Sequence, residues 1–166
     1  MEKTLRILNG MVEDGIIAQY AIGGAVAAIF YIEPLTTNDL DIFFHVPDAS
    51  GLDLLEPIYS YLKGLGYTPE GDAIEIEGWP VQFLPAFNAL LEEALKEANE
   101  VMFQATKTRV LKAEHLMAIM LQTGRHKDMA RLEQFVETEM FDEAALIEIL
   151  TRYDLIHKWS ELREGL

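Results

Sequence analysis

The segment from Tyr20 to Val46 constrains the fold more than any other. Tyr20-Ala21-Ile22 is a short apolar run that reads as a buried strand. Gly23-Gly24 breaks it, and Ala25–Tyr31, dominated by small residues, reads as a helix packed closely on a neighbour. Glu33-Pro34 and Thr36-Thr37-Asn38 form a loop, and Leu40–Val46, rich in Ile, Phe and Val, is a second strand. A strand, a glycine turn, a helix and a strand in quick succession belong to a sheet covered by helices.

The flanking segments extend this unit. Leu5, Leu8, Met11 and Val12 recur at helical spacing, giving a helix over about 3–13 that stops at Asp14-Gly15. Pro47–Gly51 turns the chain, and Leu52–Leu65 is helical with Gly66 near its end. Ala73–Ile76 and Val81–Leu84 read as a hairpin joined by Glu77-Gly78-Trp79-Pro80. Ala86–Ala98 is a helix, and Val101–Ala105 is a last, short edge strand. From Lys112 onward only helices follow, over about 113–122, 127–138, 142–150 and 153–163. The expected architecture is α+β: a mixed sheet with helices mostly on one face over residues 1–111, then a helical part over 112–166 packed on it.

Composition narrows the function. The chain of 166 residues has 28 acidic and 13 basic side chains, a net charge of −15, so affinity for nucleic acid through a basic surface is not expected. It has no cysteine, which excludes disulfides, thiolate metal sites and thiol catalysis. No apolar stretch is long enough to span a bilayer and no signal peptide opens the chain, so a cytoplasmic protein is expected. Six of the basic residues fall between Lys107 and Arg131, where the donors for an anion should lie. The histidines His45, His115, His126 and His157 have no metal-ligand spacing and read as surface or partly buried residues. Trp79 and Tyr67 are aromatic enough to stack a base, although a hairpin tryptophan is commonly core.

Asp39 and Asp41 stand two apart at the start of a strand, so both carboxylates share a face while Leu40 and Ile42 share the other. Two neighbouring carboxylates repel as anions and call for a cation or a raised pKa. Oxygen ligation suits Mg²⁺, or Mn²⁺, which completes its shell with waters and phosphate oxygens. The Gly23-Gly24 turn lets backbone come close to a phosphate.

This set, Gly23, Gly24, Thr37, Asp39 and Asp41, resembles the signature of the nucleotidyltransferase fold in its minimal form. Gly124-Arg125-His126-Lys127-Asp128 is similar to a second segment of bacterial and archaeal nucleotidyltransferase-like proteins, including relatives of abortive-infection toxins. Together the two cover about residues 16–133. The resemblance implies a nucleoside triphosphate as donor and an unidentified acceptor, a protein or a small molecule. It implies Mg²⁺ or Mn²⁺ held by Asp39, Asp41 and a third group, with Gly23, Gly24, Thr37, Arg125, Lys127 and also Arg131 toward the nucleotide. A nucleotidyl group would pass to an acceptor hydroxyl and pyrophosphate would leave.

Three departures weaken the implied activity. The third carboxylate position is Gln82, whose amide can coordinate a cation but cannot act as a base. Glu75 or Glu77 of the same hairpin is the alternative third ligand. Leu35 and Met120 stand where relatives often carry cations. The expected function is therefore a Mg-dependent nucleotidyltransferase weakened by Gln82. The alternative is a non-catalytic relative that binds nucleotide or protein in the same cleft.

Overall fold

A computed structural model describes residues 1–32, 37–45 and 53–166. Leu35, the Glu33-Pro34 loop, Val46, the Pro47–Gly51 turn and the expected helix start at Leu52 lie outside the described residues. The elements in chain order are α1 (Glu2–Glu13), β1 (Gln19–Ile22), α2 (Gly24–Ala28), β2 (Leu40–His45), α3 (Glu56–Gly64), β3 (Pro69–Glu70), β4 (Ala73–Ile76), β5 (Trp79–Pro85), α4 (Ala89–Glu97), β6 (Asn99–Phe103), β7 (Thr106–Val110), α5 (Ala113–Thr123), α6 (His126–Thr138), α7 (Glu143–Arg152) and α8 (Ile156–Gly165).

The strands form one mixed sheet of seven in the order β3-β4-β5-β2-β1-β7-β6. β2 lies at its centre, antiparallel to β1 and parallel to β5. Period-two alternation sends Leu40, Ile42 and Phe44 to one face, where each is fully buried. Their partners in register, Val81, Phe83 and Ile22, share that face. Asp41, Phe43, Gln82 and Leu84 occupy the other.

α1 covers the Leu40 face, burying Leu5, Leu8 and Met11 completely. Its Asn9 accepts a hydrogen bond from the Tyr20 hydroxyl at 2.9 Å, and its C-cap residue Asp14 accepts one from Tyr61 of α3 at 2.9 Å. The Glu2 carboxylate accepts from Ala105 and Thr106, and Thr4 donates to the Ile76 carbonyl, so the first turn of α1 is tied to both outer hairpins. The remaining helices gather around α5. That helix is buried nearly all round, with Leu116, Met117, Ala118, Met120 and Leu121 at most 3% exposed. α2, α4, α6 and α7 pack against it, and α8 packs on α7 with Trp159 edge-on to Phe141.

The main elements agree with the sequence reading, but the two-residue strand β3 was not expected, the helix read over Leu52–Leu65 starts at Glu56, and four further local differences appear. The helix after the glycines ends at Ala28 instead of Tyr31: Phe30 and Tyr31 turn tightly onto Ala27 and Ala28, and the Tyr31 hydroxyl donates to the Leu111 carbonyl at 2.8 Å. The helix expected from Ala86 starts at Ala89, because the Asn88 side chain caps it by accepting from the Leu91 amide. The β4–β5 connection is two residues, Glu77 and Gly78, both at positive φ, and Trp79 and Pro80 belong to the strand. The edge strand β6 is followed by a further strand, β7, which pairs with both β6 and β1.

Candidate functional site

Gly23, Gly24 and Asp41 are in direct contact. The Gly23 amide donates to the Asp41 carbonyl at 2.9 Å, fixing the start of α2 against β2. Gly24 has φ +57°, and a Cβ there would overlap Asp41 Oδ2 and lie 2.8 Å from its carboxyl carbon. A Cβ at Gly23 would run into the Phe43 ring. Both glycines are therefore demanded by close approach, and at Gly24 by backbone conformation as well.

Asp41 is half-buried on the cleft side of β2, and Asp39, just before the strand, is exposed. The Thr37 hydroxyl donates to the Asp39 carbonyl and carboxylate, each at 3.1 Å. Burial, and after it the Asp39 charge, push the Asp41 carboxyl above its ordinary value; Lys127, Arg125 and Arg131 pull the other way. The three cations thus act on Asp41 by charge, Arg125 from the N-cap of α6 and Lys127 and Arg131 from the helix itself. Arg125 Nε donates to Asp128 Oδ2 at 2.7 Å and Arg131 Nη1 lies 3.5 Å from Asp128 Oδ1. Asp128 is only 1% exposed, so it is a buried anchor for two arginines beside the cleft. Its hydrogen bond, followed by the charges of Asp128, Asp41 and Asp39, raises the Arg125 pKa against the opposing effect of burial.

The cleft, about 100 Å³, is lined by Gly24, Asp41, Gln82, Met120, Arg125 and Asp128 among others. Gly24, Asp41, Gln82 and Arg125 are thus brought together as the sequence expects. Thr37 supports Asp39, and exposed Lys127 acts on Asp41 through its charge. Gln82 is the register partner of Asp41 on the parallel strand β5, so the side chain beside Asp41 is an amide. Glu77 sits in the β4–β5 turn, where it accepts from Tyr67 at 2.5 Å and faces Lys3 of α1, away from the cleft. That pairing also engages the Tyr67 hydroxyl outside the cleft. Glu75 pairs with Pro80 on β4, two strands from β2, a separation of about 10 Å at ordinary strand spacing. Among the described residues no three His, Asp or Glu side chains form a metal cluster. A hard divalent cation still fits the donors present. Asp39 and Asp41 would offer oxygen donors, the burial and the Asp39 charge that push the Asp41 carboxyl up would be relieved by positive charge, and the missing Cβ of Gly24 makes the room that Asp41 Oδ2 takes up.

The roles of Asp128 and His115 were hidden in the sequence. Asp128 reads there as a helix-start residue, and its fixed i+3 spacing from Arg125 was the available signal. His115 is a core residue, 4% exposed, with Nε2 3.0 Å from Glu93.

No protein-family model and no curated protein matches the chain. Solved structures do. A nucleotidyltransferase-like antigenic protein from Paracoccidioides brasiliensis aligns over 98% of this chain and 90% of its own, with 12% identity and a TM-score of 0.58. The antibiotic-resistance factor ANT(2'')-Ia aligns over 99% and 98%, with 16% identity and a TM-score of 0.53. These likenesses show that the chain has a nucleotidyltransferase-like fold. Among the described residues, no helix is long and apolar enough to cross a membrane.

Proposed function

We propose that the protein binds a nucleoside triphosphate together with Mg²⁺ or Mn²⁺ at Asp39 and Asp41, and passes a nucleotidyl group slowly to an acceptor hydroxyl. The observation that carries this reading is the Asp41 carboxylate against Gly24, with Asp39 two residues before it, Arg125 in the same cleft, and the charges of Lys127 and Arg131 also acting on Asp41. When bound, the cation neutralises phosphate charge and makes the acceptor hydroxyl more acidic. Gly24 lets the Asp41 carboxylate sit against the start of α2, and the arginines, held by Asp128, stay near the phosphates without collapsing onto the carboxylates. The cleft is smaller than a nucleotide, so it takes only the phosphate end, and sugar and base lie outside it.

A second reading, binding without transfer, is favoured by one observation. Gln82 beside Asp41 supplies neither a third negative charge nor a base, and Met120 puts a thioether in the cleft wall. The fold shared with a resistance factor supports a small-molecule acceptor under the first reading.

Calorimetric titration with each nucleoside triphosphate, with and without Mg²⁺, tests the site. Wild type should bind in a Mg²⁺-dependent way, and Asp39→Asn and Asp41→Asn should each lose that dependence. Equal affinity in all three proteins would refute the site. Radiolabel transfer from the α-phosphate then separates the two readings.

A further inference from the structure

A second cavity lies on the α1 side of the sheet. It has a volume of about 320 Å³ and is walled by residues of α1, α2 and both outer hairpins, among them Leu5, Ile22, Val26, Phe30, Trp79 and Phe103. Its two threonine hydroxyls are spoken for. The Thr108 hydroxyl is paired with the Tyr20 hydroxyl at 3.0 Å, and Thr37 donates to Asp39. The interior therefore offers a ligand hydrophobic contact and almost no hydrogen bonding. At one edge, however, the same Thr37 that lines the cavity holds the carboxylate of Asp39. The rim residues Ile29 and Phe30 are 38% and 44% exposed, so the cavity is reachable from outside.

We propose that this cavity holds the acceptor, and that the acceptor is an apolar alcohol or phenol of one or two rings. This rests on the functional reading above and names its second substrate. The volume falls at the lower end of small-molecule sites, and burying a ring system against these walls is favourable at roughly 25 cal/mol per Å² of apolar surface. A polycationic or sugar acceptor would lose its hydration here and find no partners. The ring system lies between α1, α2 and Trp79, and the hydroxyl reaches past Thr37 to Asp39. In the reaction the hydroxyl oxygen forms a bond to the α-phosphorus, the α–β bridging P–O bond breaks, pyrophosphate leaves with that electron pair, and the proton passes to solvent water.

The test uses 1-naphthol as probe and glycerol as hydrophilic control. Trp79 is one of two tryptophans, so naphthol binding should alter tryptophan emission in wild type. Val26→Phe fills the cavity and should weaken naphthol at least about tenfold while leaving Mg²⁺-dependent ATP binding unchanged. Phe30→Ser, at the exposed rim, should weaken it with no demand on the core. With α-labelled ATP and Gln82→Asp protein, label should reach naphthol and not glycerol. Wild type that binds Mg–ATP but not naphthol overturns the cavity assignment alone. Naphthol affinity unmoved by either cavity substitution, or label on glycerol as readily as on naphthol, also overturns it. Label on neither removes the acceptor role. Wild type that binds naphthol but no nucleotide refutes the functional reading and, with it, that role.

Discussion

Replacing Glu93 by Gln should remove a pH-dependent contribution to stability whose size the structure sets. Glu93, on α4, accepts from His115 of α5 at 3.0 Å, from Arg152 of α7 at 2.6 Å, and from the Tyr153 hydroxyl at 2.7 Å. It therefore joins the sheet-packed helix α4 to α5 and to the end of α7. Burial pushes the carboxyl up, but the hydrogen bonds of Tyr153, His115 and Arg152, with the Arg152 charge, outweigh it and hold the pKa at about 2 against an ordinary 4.5. At 1.36 kcal/mol per tenfold change in proton affinity, the difference is worth about 3 kcal/mol. The folded chain binds this proton more weakly than the unfolded chain. The contribution is therefore complete above pH about 4.5 and disappears as the pH falls toward about 2. Gln does not titrate, so the pH dependence of the stability difference between wild type and Glu93→Gln reports Glu93 together with its contact to His115. Urea unfolding followed by circular dichroism from pH 7 to pH 2 measures it. The gap should shrink by about 3 kcal/mol over that range. A gap that stays constant with pH, or widens on acidification, would refute the assignment of Glu93 as the anionic hub.

Three further outcomes follow from the cleft. Asp41→Asn should stabilise the ligand-free protein at neutral pH. The folded pKa is raised, so the ionised form costs stability as the pH climbs through it, and thermal melting at pH 5 and pH 8 should show the wild type losing ground where the variant does not. Gly24→Ala should cost about 1–2 kcal/mol for its positive φ alone; it should also displace the Asp41 carboxylate, read as weaker Mg²⁺-dependent nucleotide binding in calorimetry. Gln82→Asp places a third carboxylate beside Asp41 and should raise both Mg²⁺ affinity and turnover, by about two orders of magnitude for a restored general base, measured by radiolabel transfer.

The glycine and aspartate constellation was legible because its logic is local. Period-two alternation sets the faces of Leu40, Asp41 and Ile42, and a glycine pair between strand and helix leaves few conformations. The parallel register that puts Gln82 opposite Asp41 follows from the same hydrophobic alternation, as Leu40 and Ile42 must share a face with Val81 and Phe83. β7 was not read because its turn lacks the usual residues. Gln104 takes φ +53° between Phe103 and Thr106 with no Gly, Asn or Asp to announce it. Yet Thr106, Thr108 and Val110 alternate with Lys107 and Arg109, and that pattern is a strand signal in itself. The Glu93 hub could not be read at all. Its partners lie 22, 59 and 60 residues away, and nothing local in α4 distinguishes Glu93 from Glu92.

The placement of β7 beside β1 also sets an order of events on the ribosome. β1 meets β7 through Ile22 and Val110, which are 88 positions apart in the chain. At about 5–20 residues per second, β1 emerges roughly 4–18 s before its neighbour exists. During that interval β1 and β2 can already form their antiparallel pair, but the other edge of β1 stands open to any passing strand. The nascent chain is then most exposed to wrong pairing between the synthesis of residue 45 and residue 110. Codon changes that slow this stretch should lower soluble yield more than equal slowing after residue 112, where only helices remain to be made.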